Sequence, residues 1–377
     1  MSAAPPPAEA PTVPRRVALI HDYLNQYGGA ERVLEALHAI FPGAPVFTSI
    51  YDAEAMPQRM REWDIRTTWM QRLPGWRRHF RAYFALYPLA FEQIDLSGYD
   101  LILSSSSAYA KGVRPAAGAR HICYCHTPMR FAWRTASYIA REDLGVMRLP
   151  LELPMSLLRR WDIASAPRVT QFLANSREVA GRIRACYGRE ALVVPPPVTL
   201  PPFTPSGTDG DYYLAGGRLI PYKRVDLAIE ACNALGLPLV VFGNGRDRAA
   251  LEAIAGPTIS FTGWVSEQER RDLFAGCRAH LFPGEEDFGI TPLEAMAAGR
   301  PVVAYAAGGA LDTVVDGVSG RFFAQQTAAS LASAITALAA DEYDALTIRR
   351  HAEGFGPEIF AARIAAIVTG SVAPARA

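Results

Sequence analysis

Glu286 and Glu294 stand eight residues apart, and Arg218 and Lys223 stand five apart. A carboxylate accepts sugar hydroxyl hydrogen bonds in pairs, which suits a ribose or a hexose. Arginine forks across two phosphate oxygens and lysine acts as a point charge, so Arg218 and Lys223 suit one diphosphate. Gly216 and Gly217 open the backbone just before these cations. Gly289 precedes a helical pattern expected over Pro292 to Ala298, with Thr291 as N-cap, Pro292 in the first turn and Gly299 as the stop. Amides at that helix start could hold an anion beside both glutamates. Taken singly, each pair also suits an ordinary solvated loop or a helix cap.

In the first half, Gly28-Gly29-Ala30-Glu31 lies between an apolar run and a helical pattern. Glycines there let amides approach an anion at the positive helix end, or make a tight turn with φ > 0. The run is not the spaced G-x-G-x-x-G fingerprint of a dinucleotide site. His126 follows the apolar run Ile122 to Cys125. A histidine at a strand end can donate to a sugar hydroxyl, handle a proton near pH 7, or bond nearby backbone. His21 and Asp22 hold the matching place after the first apolar run.

These residues need strands and helices that end beside one another. Val17 to Ile20, Leu101 to Leu103, Ile122 to Cys125, Gln171 to Ala174 and Leu192 to Val194 read as strands. Helical stretches alternate with them; over Ala30 to Ile40, Val33, Leu34, Leu37 and Ile40 make one apolar stripe. Residues 195–210 carry six prolines and two glycines and read as a linker. The alternation then restarts, with strands at Tyr212 to Ala215, Leu239 to Phe242, Ile259 to Phe261, Ala279 to Phe282 and Val302 to Tyr305. Ser266 and Glu269 have the spacing of a capping box. The pattern predicts an α/β fold of two Rossmann-like, doubly wound domains facing across a cleft. The expected parts are a tail over 1–14, a first domain over 15–198, a linker over 199–210 and a second domain over 211–345. Residues 346–377 are expected to form a C-terminal helix and tail packing back on the first domain. In such sheets ligands bind beyond the carboxyl ends of the strands, where the residues above fall.

A chain of 377 residues, 50% apolar and 20% charged, can bury two cores. Its 38 basic and 37 acidic residues leave a net charge of +1, so nucleic acid is not an expected partner. Five cysteines, mostly within apolar runs, read as reduced buried thiols. Residues 1–14 lack a basic start and an apolar core and do not read as a signal peptide. No apolar run reaches the ~18 residues of a membrane-spanning helix.

GGRLIPYKR (216–224), FTGWVS (261–266) and the segment from Glu286 to Glu294 followed by AMAAGRPVVA resemble the retaining glycosyltransferase family 4, with its GT-B fold. GGAERV (28–33), SSSSAYAKGV (104–113), CYCHTPMRFAW (123–133) and FLANS (172–176) agree. The stretch CHTPMRFAW is similar to bacterial mannosyltransferases that build exopolysaccharide or O-antigen repeats on a polyprenyl diphosphate. The resemblance covers roughly residues 16–325.

It implies a nucleotide-sugar donor held mainly by the second domain, GDP-mannose first and a UDP-sugar second. Arg218 and Lys223 would contact the donor diphosphate, Glu294 the ribose and Glu286 the transferred hexose. Gly217 and the backbone of Phe288, Gly289 and Ile290 would line the phosphates and sugar, and Val265 would sit near the base. Gly28 and Gly29 would face the diphosphate from the first domain, and His126 would touch the sugar near the acceptor. Asp287 stands where the family commonly has a small residue, and is expected to stay solvated. No metal and no cofactor are expected, because Arg218, Lys223 and helix N-termini can neutralise the leaving group. The acceptor implied is a polyprenyl-diphosphate-linked saccharide. Seven arginines over 59–81 (59, 61, 66, 72, 77, 78 and 81) among Trp63, Trp69, Trp76, Phe80 and Tyr83 read as an anionic-membrane patch, or as a packed helical hairpin with a basic face. The location expected is cytoplasmic, peripheral on the inner face of the membrane. Two other readings, an epimerase on the same scaffold and an inactive sugar-nucleotide binding module, sit poorly with all four of Arg218, Lys223, Glu286 and Glu294 being present.

Overall fold

The computed structural model describes residues 16–133, 152–200 and 210–370. Seven strands form the first sheet: β1 (Val17–His21), β2 (Val46–Thr48), β3 (Ile65–Thr67), β4 (Leu101–Ser106), β5 (Arg120–Cys125), β6 (Gln171–Ala174) and β7 (Ala191–Val193). Their order is β3-β2-β1-β4-β5-β6-β7, with every pairing parallel. The second sheet holds β8 (Tyr212–Arg218), β9 (Leu239–Asn244), β10 (Ile259–Gly263), β11 (Cys277–Phe282), β12 (Val302–Tyr305) and β13 (Gly320–Phe323) in the order β10-β9-β8-β11-β12-β13, again parallel. Each sheet reverses its winding beside its first strand, at β1/β4 and at β8/β11, which opens a crevice there.

Parallel strands are covered on both faces, which is why they read as unbroken apolar runs. All six residues of β4 are buried, the serines included. Helices of eight residues or more are numbered α1 (Gly29–Ile40), α2 (Glu152–Ser165), α3 (Arg177–Tyr187), α4 (Val225–Leu235), α5 (Glu267–Gly276), α6 (Ile290–Ala297), α7 (Ala328–Ala340), α8 (Ala345–Glu353) and α9 (Pro357–Val368). The capping box forms as the spacing suggests: the Glu269 amide donates to Ser266 Oγ (3.2 Å) and the Ser266 amide to Glu269 Oε2 (2.6 Å).

Two boundaries differ from the sequence reading, at Gly210 and after 345. The linker begins later than its prolines do, since Pro196, Pro197 and Val198 are buried and the Val198 amide donates to Phe355 O at 2.9 Å. Gly210 already belongs to the second domain, packed so closely on the Cys277 backbone that a Cβ would meet it at 2.2 Å; residues 201–209 lie outside the described residues. The segment after 345 divides. Helix α8 buries Ile348 and Ala352 with the second domain's Leu293 and Val302. Helix α9 crosses back and buries Phe360, Ile364, Ile367 and Val368 against Leu34, Leu37 and Tyr124 of the first. Each such side chain contributes about 1.5–3 kcal/mol of apolar burial, and Arg120 ties the helix end by donating to Val368 O at 2.6 Å.

Candidate active site

The crevice of the second sheet gathers its charged residues from two loops. Strand β8 runs out at Gly216-Gly217-Arg218, and a short turn over Pro221–Lys223 follows. Strand β11 ends at Phe282, and the loop 283–289 leads into α6. The loops touch, since a Cβ on Gly284 would stand 2.9 Å from Lys223 Cα. Lys223 Nζ forms an ion pair with the Glu286 carboxylate, both side chains largely buried. Arg218 is exposed at the strand end, and a Cβ on Gly217 would lie 3.9 Å from Lys223 Nζ.

Helix α6 begins at Ile290, earlier than Thr291 and Pro292 suggest, and Gly289 is its N-cap. Gly289 has φ 84°, and a Cβ would meet the Phe282 ring at 2.6 Å, so only glycine fits. The loop can therefore enter the helix through a left-handed residue. The Phe288 side chain is buried among core residues, which leaves only its backbone for the site. Ile290 reaches across the cleft: a Cβ on Gly29 would lie 3.5 Å from Ile290 Cδ1. Gly28 and Gly29 do not need the left-handed region, since Gly28 has φ −146° and neither is among the positive-φ residues. The Gly28 amide is already taken, donating to Glu31 Oε2 at 2.8 Å.

Glu294 sits apart from the Lys223–Glu286 pair. Its carboxylate lies 3.1 Å from Arg270 of α5 and 3.8 Å from Arg32 of α1, so both domains supply a cation to it. With Val265, Tyr27 and Pro197 these residues line an interdomain cavity of about 490 Å³. A nucleoside fits that cavity in size, with Ala36, Ala39 and Val265 as apolar contacts among charged walls and a carboxylate for paired hydroxyls.

Asp287 is not solvated. Its carboxylate pairs with Arg130 and Arg182, both from the first domain. Arg182 also contacts Glu178 at 3.0 Å and Glu285 at 3.8 Å. A second crossing joins Arg177 to Asp312 at 2.6 Å. Asp287 thus links the domains immediately beside Glu286.

His126, after β5, is half-buried, and its Nε2 meets Ser105 Oγ at 2.8 Å. Burial, reinforced by His21, lowers its pKa to about 3. At neutral pH it is a neutral hydrogen-bonding group and not the proton carrier that an unperturbed histidine could be. Asp22 is buried, and its carboxylate accepts amides from Ser107, Ala108, Tyr109 and Ala110 at 2.6–3.0 Å, which shapes the serine loop. Cys123 and Cys125 are buried, and burial pushes the Cys123 thiol up to about 12, so it stays protonated. One Asp-x-Asp spacing occurs, Asp209 to Asp211; Asp211 stands at the amino edge of β8, the other end of the strand from Arg218, and Asp209 lies outside the described residues.

The arginine-rich stretch is partly engaged. Arg59 pairs with Glu35, Arg66 with Asp64 and Arg77 with Asp52. Trp69, Trp76, Phe80 and Tyr83 pack against the first domain's core. Arg61, Arg72, Arg78 and Arg81 are each exposed, Arg61 also donating to Ala53 O at 3.1 Å and Arg81 lying over the Phe80 ring.

Residues 27–200 match the family model described as Glycosyltransferase Family 4, and residues 200–354 match that described as Glycosyl transferases group 1. Together the two models span nearly all of both domains, and the chain belongs to the family 4 glycosyltransferases. A D-inositol 3-phosphate glycosyltransferase of Geodermatophilus obscurus is 32% identical over 236 residues, 52% of this chain and 51% of that protein. A GDP-mannose-dependent alpha-mannosyltransferase of Mycolicibacterium smegmatis is 42% identical over 100 residues, 26% of each chain. The chain thus spans about half, or less, of the length of these relatives. The Anabaena protein Alr3699/HepE, solved with UDP-glucose, superposes with a TM-score of 0.67 at 18% identity, over 94% of this chain and 99% of that one. The architecture is GT-B.

Proposed function

We propose that this chain is a retaining hexosyltransferase that moves mannose from GDP-mannose to a polyprenyl-diphosphate-linked saccharide in surface polysaccharide synthesis. The observation that carries the transfer chemistry is the Lys223–Glu286 pair at the β8/β11 crevice, next to the cavity holding Glu294 and Val265. Arg218 and Lys223 neutralise a departing diphosphate, Glu286 holds the hexose and Glu294 the ribose. Mannose and guanine are favoured by the sequence relative that uses GDP-mannose and by the CHTPMRFAW stretch; the neighbour bound to UDP-glucose makes a UDP-sugar the second choice.

Neither site glutamate stands free as a nucleophile, because Lys223 holds Glu286 and Arg270 with Arg32 hold Glu294. The proposed route is front-face: the bond from the anomeric carbon to the phosphate oxygen breaks, the acceptor oxygen bonds to the same face, and the leaving phosphate takes the acceptor's proton. The neutralising groups act where that charge develops. The exposed Arg61, Arg72, Arg78 and Arg81 are proposed to meet anionic lipid, which salt-sensitive sedimentation with anionic but not neutral vesicles would support. The test of the main reading is a panel of nucleotide sugars with a synthetic lipid-diphosphate acceptor. An α-mannoside product from GDP-mannose supports it. A covalent hexosyl adduct on Glu286, found by intact mass, contradicts the front-face route, and no nucleotide release from any donor favours an inactive binding module.

A further inference from the structure

A line of hydrogen bonds crosses the carboxyl edge of the first sheet, from α1 to β1 to β4 to the end of β5. Glu31 Oε1 lies 3.4 Å from His21 Nε2. His21 Nδ1 lies 3.1 Å from Ser105 Oγ, and Ser105 Oγ lies 2.8 Å from His126 Nε2. The β1–β4 register sets His21 directly against Ser105. His21, Glu31 and Ser105 are each at least 96% buried, so no solvent competes for these bonds. The other Glu31 oxygen accepts the Gly28 amide.

With Glu31 ionised and His21 neutral, the donor and acceptor roles along this line follow from its end. An ionised carboxylate only accepts, so His21 must place its proton on Nε2. A neutral His21 then has a bare Nδ1, which must receive the Ser105 hydroxyl proton. Ser105 Oγ, having donated, accepts in turn from His126, whose proton must sit on Nε2. The remaining His126 Nδ1 is bare and has no hydrogen-bond partner among the described residues. A bare imidazole nitrogen at a strand end accepts a hydrogen bond from a hydroxyl and cannot donate one.

We infer that Glu31, acting through His21 and Ser105, is a positioning residue that fixes His126 in one tautomer, so that His126 Nδ1 accepts a hydrogen bond from a hexose hydroxyl. The assignment of that hydroxyl to the donor hexose rests on the proposed transferase reading; the tautomer does not. The same glutamate orders the glycine loop through the Gly28 amide, so one side chain serves both the loop and the sugar contact.

Glu31→Gln separates the two. The Gly28 amide still needs an oxygen, so the new side-chain NH₂ faces His21 Nε2 and donates. Every bond in the line then reverses, and the His126 proton moves to Nδ1. The experiment is ¹⁵N NMR of the full chain labelled at histidine, with His126→Gln identifying the resonance. Calorimetry with GDP alone and with GDP-mannose accompanies it. The expected result is a proton on His126 Nε2 in the wild type and on Nδ1 in Glu31→Gln. GDP-mannose binding should weaken about tenfold, the worth of one hydrogen bond, while GDP binding is unchanged. In a Ser105→Ala background, where the line is cut, Glu31→Gln should no longer move the His126 proton or change GDP-mannose binding. A proton on Nδ1 in the wild type, the same tautomer in both proteins, or an equal weakening of GDP alone overturns the inference. The predicted proton shift without sugar-dependent binding of any donor would leave the relay standing and refute the transferase reading instead.

Discussion

Replacing Asp287 by asparagine tests whether the two domains are held together by charge at the site. Asp287, Arg182 and Arg130 have side chains 21%, 15% and 29% exposed, so both pairs are mostly shielded from water. A hydrogen bond to a charged partner contributes about 1.5–3 kcal/mol, and partial exposure argues for the lower end, or about 3 kcal/mol for the two. Asparagine keeps one neutral acceptor and loses the charge, so about half of that, roughly 1.5 kcal/mol, leaves the closed arrangement. If transfer occurs only when the domains meet, kcat/KM falls roughly tenfold, by the usual relation between rate and free energy. The assay is nucleotide release in Asp287→Asn, Arg182→Gln and the double variant. A coupling of about 1 kcal/mol between the two sites is expected, since they touch. Additive effects, or a kcat/KM within about twofold of wild type for Asp287→Asn, would show that the pairs do not hold the working state.

Glu294→Gln should raise the KM for the donor about tenfold with kcat little changed, because it weakens binding of the nucleoside and not the bond-breaking step; a kcat-only effect would count against placing the ribose there. His121 and His280 are buried, and burial pushes both pKa values to about 3. Their folded forms refuse a proton that the unfolded chain accepts near pH 6.5, so stability is full above that pH and declines as pH falls toward 3. Each contributes a slope of about 1.4 kcal/mol per pH unit within that window. Urea titrations at pH 6 and 5 should therefore give a flatter pH dependence for His280→Gln than for the wild type, and parallel lines would refute it. Gly289→Ala should destabilise the chain by about 1–3 kcal/mol, since the new methyl meets Phe282 at φ 84°; an unchanged urea midpoint would contradict the stated geometry.

Much of the architecture could be read from one dimension because it is local. Apolar runs of strand length separated by helical stripes specify parallel sheets, and the residues just after them fall at the crevices. Lys223, Glu286 and Glu294 were recognisable by their place after β8 and β11. What escaped was pairing between distant parts of the chain. Asp287 reads as a solvated loop residue until Arg130 and Arg182 arrive from the other domain, and no spacing encodes that meeting. Glu31, His21 and Ser105 carry ordinary local signals and become a line only when the strand order places β4 beside β1. Helix α6 starts ahead of the good capping residues Thr291 and Pro292, because the chain enters it at Gly289, where φ 84° and the closeness of Phe282 leave no room for a side chain. The arginine stretch lost part of its apparent surface character because Glu35, Asp64 and Asp52 pair with three of its members.

On the proposed reading, the Lys223–Glu286 crevice is where a nucleoside diphosphate leaves a hexose. The most direct test is the rate of GDP release from GDP-mannose with acceptor present, in the wild type and in Lys223→Ala. Lys223 places its charge where the leaving group's charge develops, so the variant should be slower in kcat by about 100- to 1,000-fold. Equal rates in the two proteins would contradict that role.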